Sequence, residues 1–144
     1  MGRVIQTGDT PAKRRSAAMR SAAEVLRLLA ERPAFDDESR DMTAFLASNL
    51  RSIHETIEES AQAWDDRNYW RKSEALRAKW RWSRLAAEQL EELLLAERWD
   101  DIPPALISLI PQFSGITINA ITRDADWWVG AYRALKKSNL ETQR

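Results

Sequence analysis

Along residues 69–94, apolar or small residues recur at Tyr69, Ser73, Leu76, Trp80, Ser83, Ala87, Leu90 and Leu94. The steps alternate between three and four, which puts all of them on one face of a 3.6-residue helix, whereas a strand would need a period of two. No glycine or proline interrupts the run, so propensity agrees with pattern. The spacing predicts one unbroken helix over 67–96, N-capped by Asp66, that is the longest and most buried of the chain. A second stripe, Ala75, Ala78, Trp82, Leu85, Ala86 and Leu93, lies about a third of a turn away. A helix apolar over more than half its circumference is either central in its domain or buried against a partner. Trp82, Leu85, Ala86 and Leu93 are therefore candidate interface residues, and Trp is a residue that interface centres favour.

The remaining chain reads as further helices. Thr10-Pro11 is an N-cap followed by a proline at the first helical position. The helix it opens should run to about Arg32, stop before Pro33, and turn Met19, Ala22, Leu26 and Leu29 inward. Asp36 and Asp37 start a second helix with Met42, Phe45, Leu46, Leu50, Ile53, Ile57, Ala61 and Trp64 inside. After Trp99 the run D-D-I-P-P opens a short segment, Ile102 to Phe113, with almost no polar face, which predicts burial. A last helix is expected to begin between Thr117 and Thr122 and end near Lys137, with Ile121, Ala125, Trp128, Tyr132 and Leu135 inward. The β-branched stretch 116–121 could instead be extended. W-D-D occurs at 64–66 and again at 99–101; both copies read as aromatic packing followed by carboxylate capping of the next helix.

These elements predict an all-α fold: an antiparallel up-and-down bundle of four long helices plus one short buried helix. The domain would span 10–138, between a flexible N-terminal arm at 1–9 and a flexible C-terminal tail at 139–144. Composition narrows the picture further. The 144 residues carry 22 basic and 22 acidic side chains, so no overall charge points to nucleic acid or a membrane surface. No run of apolar residues is long enough to span a bilayer, and no secretory signal is read at the N-terminus. The absence of cysteine removes disulfides, thiolate nucleophiles and Cys-based metal sites together. A cytoplasmic location is expected.

Candidate chemistry is sparse. A di-iron bundle would need two Glu-x-x-His pairs, and the chain has the single histidine His54. No G-x-S-x-G elbow or glycine-rich phosphate loop occurs. No enzyme activity, metal or cofactor is expected. Charge layout says more. In an antiparallel bundle one end would gather Lys13, Arg14, Arg15, Arg67, Arg71, Lys72, Lys136 and Lys137, and the other end most of the acids. With Tyr69 and Trp70 beside it, the basic end is a candidate anion or ligand site, where aromatics stack bases and cations grip phosphate. The leading expectation is a non-catalytic binding or scaffolding protein working through contacts with another protein or with itself as a homodimer. The alternative is binding of RNA, single-stranded DNA or a small anion at the basic end.

Overall fold

The computed structural model describes residues 9–143. It is all-helical, with no strand among the described residues. Three long helices come first: α1 (Pro11–Glu31), α2 (Asp37–Asp66) and α3 (Trp70–Leu95). A 3₁₀ turn at Trp99–Asp101 leads into α4 (Ile102–Leu109), and another at Ile110–Phe113 closes it. An irregular stretch, 114–124, then reaches the four-residue α5 (Ala125–Trp128) and α6 (Ala131–Thr142). Residues 1–8 of the expected arm lie outside the described residues.

The expected caps of the first two helices form. Thr10 accepts from the Lys13 N–H at 3.1 Å, and Pro33 holds Arg32 in an extended conformation that ends α1. Asp36 accepts from the Ser39 N–H at 3.0 Å and opens α2. The exit from α2 differs from expectation. Asp65 and Asp66 are its last residues rather than the cap of α3, because the chain leaves through Asn68 in the left-handed region (φ 63). The Tyr69 and Asn68 N–H groups turn back to the Trp64 and Asp65 carbonyls, a hydrogen-bonded exit that asparagine tolerates well. Glu97 (φ 56) does the same for α3. The two W-D-D copies therefore play opposite parts: the first finishes a helix and the second starts a turn. Asp101 caps nothing and pairs with Arg98.

The central element is α2, not α3. At 30 residues against 26 it is the longer. Met42, Leu46, Leu50, Ile53, Ile57 and Ala61 are buried along its whole length. Both α1 and α3 run antiparallel to it, as Arg14–Glu59 and Arg32–Glu38 show on one side and Arg77–Glu58 and Arg51–Glu91 on the other. Only the second half of α3 is sheathed. Ser83, Ala86, Ala87, Leu90, Leu93 and Leu94 are buried, while its first half keeps only Ser73 inside. Trp80, expected deep in the core, is partly exposed and lies between Trp82 and the Arg15 guanidinium.

The expected fourth long helix is broken. Val129 leaves the helical region and Gly130 (φ 80) turns the chain, so α5 and α6 are separate and α6 runs on to Thr142. Of the five residues expected on its inward face, Trp128 is buried and Tyr132 and Leu135 partly so, while Ile121 and Ala125 face solvent. α6 starts at the N-terminal end of α2, where the Tyr132 N–H meets Asp41 at 3.0 Å.

Stretch 114–124 has no helix to satisfy its backbone, and α1 supplies the partners. Arg20 donates to the Thr117 and Ala120 carbonyls and Arg27 to that of Ile118. Glu24, fully buried, accepts from the Thr122 and Arg123 N–H groups at 2.6 and 3.0 Å and from Arg20 at 2.7 Å. Burial by itself would raise the Glu24 carboxyl. The Arg20 guanidinium, the two backbone N–H groups and the Thr122 hydroxyl outweigh it and hold the pKa at about 2.

Candidate functional site

The stripe expected to meet a partner is covered from within. Ala86 and Leu93 are buried, and Trp82 packs edge-on against Phe113 at 5.7 Å. The segment that covers them is α4 with its closing turn, whose Ile102, Ala105, Leu106, Leu109 and Phe113 are all buried. Of the four candidate interface residues only Leu85 remains in solvent, at 51% exposure. Ala86, Leu93 and part of Trp82 thus have an intramolecular neighbour.

The basic end is only partly assembled. Lys13, Arg14, Arg15, Arg67, Tyr69, Trp70, Arg71 and Lys72 do come from the starts of α1 and α3 and the turn before α3, which meet the end of α2. Lys136 and Lys137 do not join them. They follow Tyr132 by a turn or so, while Asp41, its partner, is about 27 Å along α2 from Glu59 at 1.5 Å per residue. Most of the remaining cations are engaged. Arg14 pairs with Glu59, and Arg15 donates to Thr56 and Ser60. The hydrogen bond to Glu59 raises the Arg14 pKa, whereas burial lowers that of Arg15. Lys72 sits over the Trp64 and Tyr69 rings at 4.6 and 5.3 Å, and those rings meet edge to face at 5.7 Å. Arg67 lies 6.0 Å over Trp64. Trp70, 64% exposed, and Arg71 stand in solvent.

Carboxylates interleave with these cations. Asp65 accepts from Ser73 and from Arg77, and the Ser73 hydroxyl is the main reason its pKa is lowered. The open surface of α2 beside the cluster is lined by Glu55, Glu58, Glu59, Gln62, Ala63 and Asp66. An approaching phosphate chain would meet these carboxylates among the cations. His54 sits half-buried on α2. Among the described residues no three His, Cys, Asp or Glu side chains group as metal ligands, and no helix is long and apolar enough to cross a membrane.

A different feature emerges at the other end of α1. Leu26, Leu29 and Ala30 of α1, Pro33, Ala34 and Phe35 of the following loop, and Pro103, Leu106, Ile107 and Ile110 around α4 enclose a groove of about 300 Å³. Arg32 and Ser39 are its polar members, and both are satisfied: Arg32 holds Asp36 with two 2.8 Å contacts and donates to Ser39 at 3.0 Å. Ser39 and Arg32 together lower the Asp36 carboxyl to about 2, with the Ser39 N–H the larger cause. Behind the groove, Phe35 stacks on Trp99, whose other neighbours are Tyr132 and the Arg40 guanidinium at 4.0 Å. Phe35 is thereby fixed from the rear.

On the lip of this groove, Ile107 is 65% exposed and Ile110 46%. The sequence reading expected the whole segment to be buried. A helix of eight residues has only one side against the bundle, so an all-apolar sequence leaves part of its surface outside. The signal was present in I-P-P-A-L-I-S-L-I-P, which holds more apolar surface than one contact side can take up. No protein-family model, no curated protein and no solved structure matches the chain.

Proposed function

We propose that this protein is a non-catalytic binding module, an antiparallel helical bundle that receives an apolar segment of another protein in the groove between α1 and α4. One observation carries the reading. Two large aliphatic side chains, Ile107 and Ile110, stand in water at the edge of a preformed apolar groove whose polar groups are already satisfied. Contiguous exposed apolar surface of this kind marks interaction sites in soluble proteins. The groove lies at the small end of the range for compact ligands, and its walls suit a few aliphatic side chains.

Selection of displayed random peptides against the full chain tests the reading, with Ile107→Asn and Leu85→Asn as counter-targets. Binders should lose affinity for Ile107→Asn and keep it for Leu85→Asn. A selection whose binders ignore Ile107 would refute the groove as the binding surface. RNA, single-stranded DNA or a small anion at the Lys72 end is the second reading, favoured by the exposed Trp70 and Arg71. Oligonucleotide titration at low salt checks it, and no binding there eliminates it.

A further inference from the structure

We infer that the occupant of the α1–α4 groove is a short amphipathic helix from another protein, with aliphatic anchors on one face and Lys or Arg at its flanks. The inference rests on the binding reading above and specifies its partner. Two observations support it.

The first is the construction of the walls. Peptides dock on proteins in a few ways set by secondary structure, and adding an extended strand requires an unpaired sheet edge. Among the described residues there is no strand, so no edge is on offer. Both walls are helices, whose interior backbone groups bond within the helix, and the loop leaving α1 beside them carries Pro33, which has no N–H to donate. Such a groove offers mainly side-chain contacts. A third helix laid between two helices meets it with anchors three and four residues apart, the spacing at which Ile107 and Ile110 themselves project.

The second is the charge around the lip. Glu31, Asp36, Asp37, Glu38, Asp100 and Asp101 flank the lining residues of the groove along the chain, against four arginines. Each arginine is already paired: Arg27 with Glu31, Arg32 with Asp36, Arg40 with Asp37 and Arg98 with Asp101. The carboxylates outnumber them by two. An acidic rim around an apolar floor selects a basic flank on what enters and opposes an acidic one. The same rim weighs against a second copy of this chain, since a two-fold pairing of this patch would bring its excess carboxylates together.

Two synthetic helical peptides with the same aliphatic face test the proposal, one flanked by lysines and the other by glutamates. Their anisotropy is followed on titration with the full-length protein at low and at high salt. The lysine peptide should bind about tenfold or more tightly than the glutamate peptide and weaken with salt. It should also lose about tenfold on Ile107→Asn and on Ile110→Asn, two exposed positions where circular dichroism should stay unchanged. Equal binding of both peptides with dependence on Ile107 overturns the inference while leaving the groove reading in place. Lysine-peptide binding that ignores both isoleucines is charge adhesion and overturns it as well. An Ile107-dependent dimer by light scattering would make the occupant a second copy, with the same consequence.

Discussion

The two sides of α1 are held in opposite ways. Toward 114–124 the contact is polar: a fully buried carboxylate, two arginines and a row of backbone groups. Toward α4 it is apolar, and it stops short, leaving a groove and two isoleucines in water. The difference follows from the partner's backbone. Stretch 114–124 bonds little within itself, so α1 must provide donors and acceptors or leave groups unsatisfied. α4 satisfies its own backbone as a helix and needs only side-chain contact, which one side of it supplies. Order on the first side is therefore specified by chemistry, and openness on the second is left over from shape.

The sharpest break of this comparison is Glu24→Ala, which leaves Arg20, Arg123 and two backbone N–H groups without their acceptor. Urea unfolding should show a loss of about 3–5 kcal/mol, the range for breaking a buried ion pair from one side. A loss well under that range would mean that 114–124 is held by Ile116 and Ile118 instead.

Acid should act on the same group. The folded pKa of about 2 lies below the ordinary 4.5, so the stabilisation is fully present above about pH 4.5 and is lost as pH falls toward 2. The Glu24 share is about 3 kcal/mol. Thermal melts across that window should show the drop, and Glu24→Gln should reduce it while leaving the share of Asp36. Arg20→Met removes the donors to Thr117, Ala120 and Glu24 but keeps a long side chain, and should cost about 1.5–3 kcal/mol, the range for hydrogen bonds to a charged group. On the apolar side, Ile107→Asn should change stability by no more than about 0.5 kcal/mol while weakening groove binding about tenfold. A larger loss would show that α4 needs its outer face for folding.

Much of the architecture was legible in the residues. Thr10-Pro11, Asp36 and Pro33 mark boundaries because caps and prolines act locally, within a turn of where they stand. The spacing of α3 was read correctly as a helix, yet its rank was not. Periodicity shows that a face is apolar without saying how much of it a neighbour covers, and Trp80 and Ala75 belong to the uncovered half. Asn68 and Gly130 were missed as turning points, although both are residues that accept positive φ. The basic end failed in part because α6 was assumed to run the length of the bundle. Glu24 could have been noticed as a carboxylate among Ala22, Ala23, Val25 and Leu26. Its partners Thr122 and Arg123, 98 and 99 residues away, could not. The groove needed three segments to meet, and only Ile107 and Ile110 announced it.

That separation bears on how the chain is made. While α1 and α2 emerge and pair, Thr122 and Arg123 have not yet been synthesised, and Arg20 is the partner of Glu24 already at hand. A charge set among Ala22, Ala23, Val25 and Leu26 is the kind of residue that opposes premature association of an apolar face, and its remaining water is replaced once Thr122 and Arg123 reach it.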